Sequence, residues 1–374
     1  MGEGRACGVG AAGVTALRLD AETLRIPFRD PFRISRDMSG DVAVTVIVRL
    51  TTDDDRAAGR FGLGEGFPDT YYGENPDTMS VVMPLLLEAV DPFEPRLGRD
   101  ATESRAALEA ASAAMDEAIR HHGAAKCAVD IALHDLAARR LAIPVYDLLE
   151  LSPDIPPTDF TIGLDAPDVV GRRAARAARF PALKIKVGGP ADLETLEAVR
   201  SVYDGPIRVD ANTGWVPEQA VRLMPELERL GVELVEQPFP AHRLDQLRWL
   251  QERSRLPIVA DESCVTCDDL EGLVGVVQGV NVKLAKCGGV GPARRMLLRA
   301  RELGFRRFLG CMEETSVGIA ASAAVASLAD WVDLDGALLL ADDPFEGLAL
   351  GADSRWRLPD EPGLGVRART TEGA

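Results

Sequence analysis

The second half of the chain repeats one pattern of apolar and polar positions. From residue 158 onward, short apolar runs alternate with longer amphipathic stretches at intervals of about 25 residues, which is the length of one strand, one helix and two short loops. Helices are predicted between the strands, for example at 217–230 and 292–303. The predicted strands are 160–163, 183–187, 207–210, 234–236, 258–261, 280–284, 307–310 and 331–334. Eight such units favour a closed parallel barrel over an open, doubly wound sheet.

The first 150 residues have the pattern of a separate α+β domain. Strict alternation at 42–50 predicts a strand, followed by a turn at 52–55, within a three-stranded meander over about 14–65. Asn75 and Pro76 are a typical N-cap and first-turn pair for a helix at 79–90, and further helices are predicted at 103–120 and 124–142. The expected domains are therefore 1–150 and a barrel at 151–343, with 344–374 returning to the first domain.

Two segments of the first domain, 27–37 and 62–74, contain more Gly, Pro and aromatic residues than simple connections need. They are either surface loops or lids over a site in the barrel.

Charged residues end several of the predicted barrel strands. Lys184 and Lys186 alternate with apolar neighbours, so their side chains point to the same face of one strand. Asp210, Glu236 and Asp261 end the next three strands, and Lys283 lies near the end of the strand after them. Because the carboxyl ends of parallel barrel strands share one face, these side chains are expected to meet there, although a single acidic residue at such a position is as often a cap or loop residue.

Three adjacent carboxylates would repel one another unless a cation lay between them. Oxygen ligands without a nearby histidine suit Mg²⁺, with Mn²⁺ as an alternative. Such a metal would stabilise the negative charge formed when a proton leaves the carbon next to a carboxylate. Two lysines on opposite sides of that carbon could remove the proton and return it on the other side, which would produce the epimer.

Composition excludes several other classes of protein. A formal net charge of -17 argues against binding to nucleic acid or to an anionic membrane. The chain has no uninterrupted apolar stretch of membrane-spanning length, and its start lacks a basic region followed by an apolar run, so we expect a cytoplasmic protein. The six cysteines do not suggest a disulfide framework. An alternative is a zinc site made by Cys264, Cys267, Cys287 and Cys311, since a CxxC pair is among them.

The motifs at the strand ends together resemble those of the enolase superfamily, muconate-lactonising subgroup. The matching runs are Leu183-Lys184-Ile185-Lys186, Val209-Asp210-Ala211-Asn212, Val235-Glu236-Gln237-Pro238, Ala260-Asp261-Glu262-Ser263 and Asn281 to Gly289. The resemblance implies a capping α+β domain and a modified (β/α)₇β TIM-like barrel. It also implies Asp210, Glu236 and Asp261 as Mg²⁺ ligands, Lys186 and Lys283 as the acid/base pair, and Lys184 as a contact to the substrate carboxylate. The mandelate-racemase subgroup uses a histidine base on a late strand, and no histidine of this chain lies on one.

The last predicted strand ends with Asp333 and Asp335, whose side chains point to the same face. Alone, the pair reads as a turn with two solvated carboxylates. Beside the other motifs it resembles the Asp-x-Asp motif with which dipeptide epimerases hold a free α-ammonium group. The resemblance therefore implies an isomerase that epimerises the C-terminal residue of an L,L-dipeptide through an enolate, with L-Ala-L-Glu as the representative substrate.

Other readings stay open. An o-succinylbenzoate synthase, an N-acylamino-acid racemase or a muconate-type cycloisomerase would use the same lysines and metal, and a catalytically idle metal-binding barrel would retain only the fold. In the first lid segment, Arg36 facing the site would favour an acidic substrate side chain, whereas Asp37 would favour a basic one. Tyr72 is a further lid residue expected at the substrate, and Glu314 is expected to support the site. A homo-oligomer is compatible with the sequence.

Overall fold

The computed structural model describes residues 16–36 and 40–370 of the 374-residue chain. The start of the chain, the predicted first residues of the meander, Cys7 and Asp37 lie outside these ranges. Within them, no helix is both long enough and apolar enough to cross a membrane.

The N-terminal unit is a three-stranded antiparallel sheet covered by helices. Its strands are β1 (Arg18–Pro27), β2 (Val42–Thr51) and β3 (Gly62–Gly66), with β2 in the centre. The helices are α1 (Asp53–Ala57), α2 (Pro76–Val90), α3 (Ala101–Ala118), α4 (Gly123–Leu141) and α5 (Val145–Leu148). As predicted, the Asn75 side chain caps α2 by accepting a hydrogen bond from the Thr78 N–H.

Two local predictions in this unit were wrong. Residues 53–55, expected in a turn, begin α1, because the Thr52 side chain accepts a hydrogen bond from the Asp55 N–H and acidic residues fill the first helical turn. The start of the loop predicted at 62–74 was placed too early, because residues 62–66 form β3, the third strand of the predicted meander. The loop that follows this strand begins only at Phe67.

Helix α4 lies unusually close to β3. Every second residue of β3 is glycine, and the matching positions of α4 carry alanine (Gly62, Gly64 and Gly66; Ala124, Ala128 and Ala132). A Cβ atom added at Gly64 would lie 2.0 Å from the Ala128 carbonyl oxygen. The strand therefore requires glycine for close helix packing rather than for a turn.

The second unit is a nearly closed barrel of eight parallel strands, as predicted. The strands are β4 (Phe160–Ile162), β5 (Leu183–Lys186), β6 (Ile207–Asp210), β7 (Val232–Glu236), β8 (Ile258–Ala260), β9 (Gly279–Lys283), β10 (Arg306–Gly310) and β11 (Trp331–Asp333). They are hydrogen-bonded in sequence order from β4 to β11. A parallel bridge between Thr158 and Val332 joins the two ends of the sheet.

Helices connect the barrel strands, giving seven β/α units and a final strand. They are α6 (Pro167–Arg176), α7 (Asp192–Arg200), α8 (Pro217–Arg229), α9 (Leu244–Gln251), α10 (Leu270–Leu273), α11 (Leu284–Cys287), α12 (Val290–Glu302) and α13 (Ser316–Ala323), with α14 (Gly336–Leu339) after the last strand.

Strand register brings the charged residues to one level of the barrel. Lys186 pairs with Asp210, and Asp210 pairs with Glu236. On the other side, Gly310 pairs with both Lys283 and Asp333. The carboxyl end of the barrel is therefore where the charged side chains collect.

The C-terminal segment forms two small antiparallel pairs and contacts both units. Strand β12 (Phe345–Glu346) pairs with β15 (Arg367–Ala368), and β13 (Ala349–Leu350) pairs with β14 (Trp356–Arg357). The Leu364 N–H donates to the Asp135 carboxylate on α4, at 2.7 Å, and the Trp356 indole N–H donates to the Leu334 carbonyl oxygen, at 2.8 Å.

Candidate active site

Asp210, Glu236 and Asp261 meet at the carboxyl end of the barrel. Each offers one carboxylate oxygen, and the three oxygens lie within 4.8 Å of one another. All three residues are buried. In the described part of the chain, this is the only cluster of three or more His, Cys, Asp or Glu residues arranged in this way.

Neighbouring amides fix the orientation of these carboxylates. The Asn281 amide donates to Glu236 Oε1 at 2.7 Å, and the Asn212 backbone N–H donates to Asp210 Oδ1 at 2.9 Å. The Gln237 amide oxygen accepts a hydrogen bond from the Asp261 N–H at 2.9 Å, which ties the end of β7 to the end of β8. These roles were not predicted from the sequence, although Asn281 lies two residues before Lys283 and so faces the same side of β9.

Three lysines surround the acidic triad. Lys186 Nζ lies 2.7 Å from Asp210 Oδ2, and Lys283 Nζ lies 2.9 Å from Asp261 Oδ2. Lys184 is buried between the triad and the last strand, with its Nζ 2.9 Å from Glu236 Oε2 and 2.8 Å from an oxygen of Asp333.

A fourth lysine, Lys286, was also missed. Its Nζ lies 2.5 Å from Asp261 Oδ1 and donates to the backbone carbonyl oxygens of Asp261, Cys264 and Asn281. Its side chain is buried beneath the site. The sequence did contain an indication of this role, because Lys286 lies in an otherwise apolar turn. A lysine buried there requires carboxylate and carbonyl partners for its ammonium group.

The carboxyl groups of the triad differ in their pKa values. Burial and the adjacent Asp210 charge raise the pKa of Glu236 to about 7. Burial also disfavours the charged form of Asp261, but Lys283 and Lys286 outweigh it and hold the pKa of Asp261 well below its usual value.

The triad fits a divalent cation. Glu236 Oε2 is buried and accepts no hydrogen bond, although the Lys184 ammonium is near it. Apart from this ion pair, the oxygen has no partner among the described residues, and a metal ion would supply one. Because all three donors are carboxylate oxygens, they suit Mg²⁺ or Mn²⁺ better than Zn²⁺.

The predicted cysteine zinc site does not form. Cys264 is buried, and the described cysteines join no cluster of potential ligands that could hold a metal ion. Burial raises the pKa of Cys264 well above its usual value and that of Cys287 to about 12. These thiols therefore remain protonated and behave as apolar packing groups.

A cavity of about 1050 Å³ opens above the triad. Both predicted lid segments contribute to its walls, together with the ends of the barrel strands. Of the catalytic, metal-binding and substrate-binding residues predicted from the sequence, six line it: Arg36, Lys184, Lys186, Lys283, Asp333 and Asp335.

Tyr72 and Glu314 are not among the residues that line the cavity, whereas their neighbours Tyr71 and Glu313 are. The Tyr72 hydroxyl is buried without a hydrogen-bond partner among the described residues. The Glu314 carboxyl group lies near Glu65 of the N-terminal sheet, whose charge adds to the effect of burial and raises the pKa of Glu314 well above its usual value.

Asp333 and Asp335 are both buried at the cavity wall and are held differently. The Lys184 ammonium outweighs the effect of burial and lowers the pKa of Asp333. Burial and the Asp333 charge raise the pKa of Asp335 well above its usual value, and its carboxylate accepts a hydrogen bond from the Thr161 N–H at 2.5 Å. The pair therefore lacks one positive charge that a ligand could provide.

Arg36 faces the cavity but is already paired. Its guanidinium donates to Glu262, lies 3.6 Å from the Asp69 carboxylate and stacks over the Tyr71 ring at 4.5 Å. An acidic substrate side chain, which was expected to bind Arg36, would therefore have to compete with these partners.

Two family models match the chain. Residues 19–150 match the mandelate racemase/muconate lactonizing enzyme N-terminal domain, and residues 168–372 match the enolase C-terminal domain-like family.

Several characterised proteins are similar over most of their length. The L-Ala-D/L-Glu epimerase of Bacteroides thetaiotaomicron is 38% identical over 332 residues, covering 86% of this chain and 83% of that protein. The dipeptide epimerase of Cytophaga hutchinsonii, solved with Mg and the dipeptide D-Ala-L-Val, superposes with a TM-score of 0.83 at 27% identity, covering 96% and 97% of the two chains. The N-succinyl Arg/Lys racemase of Bacillus cereus has a TM-score of 0.83 at 27% identity, covering 95% of each chain.

Both halves of the molecule, the acidic triad and the lysines beside it agree with these matches. The chain therefore belongs to the mandelate racemase and muconate lactonizing enzyme family of the enolase superfamily.

Proposed function

We propose that this chain is a Mg²⁺-dependent dipeptide epimerase that inverts the α-carbon of the C-terminal residue of a dipeptide. The observation that carries the proposal is the placement of two lysines at opposite ends of one acidic triad. Lys186 contacts Asp210 from β5, Lys283 contacts Asp261 from β9, and both line the cavity.

Lys186 and Lys283 would act on the two faces of the substrate α-carbon. One neutral amine takes the α-proton from its face, and the other ammonium group returns a proton to the opposite face. For the reverse reaction the two lysines exchange roles. Such a reaction requires one lysine on each side of the α-carbon, and the two lysines come from different strands of the barrel.

Asp210, Glu236 and Asp261 would hold the metal. When bound, Mg²⁺ supplies positive charge that stabilises the negative charge developing on the substrate carboxylate. Lys184, which already contacts Glu236, would add a second positive charge beside that carboxylate.

Asp333 and Asp335 would bind the other end of the dipeptide. An α-ammonium group would provide the positive charge that this buried pair lacks. Binding both ends of the substrate fixes its α-carbon between the two lysines, which lowers the entropic cost of reaching the reactive arrangement.

An N-acylamino-acid racemase is the second candidate, because the Bacillus cereus racemase has the same fold to a similar degree. Its substrate has an acylated amino group and therefore no charge for Asp333 and Asp335 to bind. The buried acidic pair favours the dipeptide.

Proton exchange in D₂O tests this function directly. A panel of L,L-dipeptides and N-acylated amino acids is incubated with the protein, and deuterium at the α-carbon is measured by mass spectrometry together with the ratio of epimers. We expect exchange and epimerisation of dipeptides, loss of both after EDTA treatment, and recovery with Mg²⁺ or Mn²⁺. Full activity after exhaustive chelation, or activity on acylated substrates alone, would contradict the proposal, and no exchange with any substrate would favour an idle barrel.

The cellular location is also a proposal. The free thiols of the described cysteines suit a reducing compartment, so we propose that the enzyme is cytoplasmic. Cell fractionation with an antibody would test it.

A further inference from the structure

Among the described residues, one charged group near the proposed reacting carbon has no oppositely charged partner. That group indicates which charge the side chain of the substrate carries. Glu313 follows β10 and lines the cavity. Its carboxylate is near enough to Lys186, Lys283 and Asp69 to interact electrostatically with all three. Glu313 therefore lies beside the two lysines between which the reacting carbon is proposed to sit.

Glu313 has no side-chain partner among the described residues. In residues 16–36 and 40–370, its carboxylate forms no hydrogen bond or ion pair with the side chain of another residue. Burial raises the pKa of Glu313, although Lys186 and its own backbone N–H act in the opposite direction. A half-buried carboxylate without a partner is costly, and a cation in the cavity would remove that cost.

The lysines beside Glu313 are held by other groups. Lys186 and Lys283 are within 2.9 Å of triad carboxylates. Arg36, which also lines the cavity, is bound by Glu262 and is also near Asp69. Two carboxylates thus share one guanidinium, and the lysines that act on Glu313 already have carboxylate partners of their own.

An acidic substrate side chain would enter this region against Asp69 and Glu313. A neutral side chain would fit among the aromatic and aliphatic wall residues, such as Phe32 and Phe67, but would leave Glu313 unpaired. A lysine or arginine side chain would pack its methylene groups against the same apolar wall and place its charge at the carboxylate.

We propose that the epimerised residue carries a positively charged side chain, and that Glu313 is the carboxylate that receives it. This inference rests on the proposed epimerase function. It names the substrate class as dipeptides with a basic C-terminal residue, and it makes Glu313 a specificity-determining residue.

The test compares L-Ala-L-Lys with L-Ala-L-norleucine, which has the same four-carbon side chain without the ammonium group, and with L-Ala-L-Glu. The values of kcat/KM are measured for wild type, E313Q and E313D, with E88Q on the exposed face of α2 as the matched control. We expect wild type to prefer the lysine dipeptide over the other two by at least about tenfold. E313Q should lose at least about tenfold more activity on the lysine dipeptide than on the norleucine dipeptide, E313D should keep the wild-type order, and E88Q should match wild type.

A wild-type preference for the glutamate or norleucine dipeptide would overturn the inference while leaving the epimerase function intact. Equal losses of E313Q on lysine and norleucine dipeptides would also overturn it, because Glu313 would then act on the catalytic lysines rather than on the substrate side chain. Absence of α-proton exchange with every dipeptide would instead refute the epimerase function on which the inference rests.

Discussion

Two buried groups of carboxylates in this molecule contain the same kind of side chain and differ in what surrounds them. Lysine ammonium groups surround the triad of Asp210, Glu236 and Asp261. Glu65 and Glu314 form the second group, where β3 meets α13. Hydrogen bonds hold Glu65 there: Thr45 Oγ1, Thr315 N and Oγ1, and Gly318 N donate to it, at distances of 2.6 to 2.9 Å.

The surroundings decide the chemistry of each group. Lysines keep Asp261 charged, since they outweigh the effect of burial on its pKa. Burial raises the pKa of both Glu65 and Glu314, and at Glu314 it outweighs the opposing effect of Lys283. The triad therefore offers negative charge to a metal, whereas the Glu65 pair joins the N-terminal sheet to the first turn of α13. Substitutions in the first group should impair turnover, and those in the second should impair stability.

The largest effect is expected from removing one lysine of the proposed acid/base pair. K186A or K283A should lower epimerisation by about a thousandfold, because general acid–base groups contribute about 10²–10⁴-fold. Each variant should still exchange the α-proton of one epimer in D₂O, and the two variants should favour opposite epimers. Mass spectrometry of separated epimers measures this, and equal exchange of both epimers by either variant would refute face-specific lysines.

Removing the Glu65 carboxylate should cost stability. E65A leaves the buried Thr315 and Gly318 N–H groups without their acceptor, and we expect a loss of about 3 kcal/mol in the free energy of unfolding. Urea denaturation measures it, with E88A on the exposed face of α2 as the control. A loss below about 1 kcal/mol would mean that water or another acceptor replaces Glu65.

A smaller and substrate-selective effect is expected from D335N. Asparagine retains an acceptor for the Thr161 N–H but removes the charge offered to the α-ammonium group. The kcat/KM for dipeptides should fall about tenfold, near 1.4 kcal/mol. N-acetylated dipeptides, which lack the ammonium, should lose far less. If wild-type protein processes acetylated and free dipeptides equally well, the ammonium contact is wrong.

The smallest effect concerns the pH dependence contributed by Glu314. Its pKa is higher in the folded protein than the usual value near 4.3, so ionisation of the unfolded chain reduces stability as the pH rises above about 4. Glutamine does not ionise. E314Q should therefore be more stable than wild type at pH 8 and similar to it at pH 4. Melting temperatures across this range measure the difference, and a gain that is independent of pH would contradict the explanation.

Local pattern was sufficient to predict the barrel and the residues of the triad. Alternation and strand spacing are properties of neighbouring residues, so each strand end could be predicted without knowledge of its partners. Every predicted barrel strand is present, with boundaries that differ by at most two residues. Asp210 and Glu236 end β6 and β7, as expected.

Loop residues were predicted less well. A shift of one residue in a loop turns a side chain away from the cavity, and no periodic pattern fixes that direction. The sequence pointed to Tyr72 at the substrate and to Glu314 in support of the site, and their neighbours Tyr71 and Glu313 are the residues that line the cavity.

Long-range pairing was decided only by the tertiary structure. Arg36 meets Glu262 across 226 residues of sequence, and Thr315 meets Glu65 across 250. Such contacts depend on how the N-terminal sheet docks on the barrel. The sequence alone thus determined the fold class and the acidic strand ends, because both follow from local periodicity. Docking of the two units decided which charges are neutralised and which, like that of Glu313, stay unpaired in the cavity.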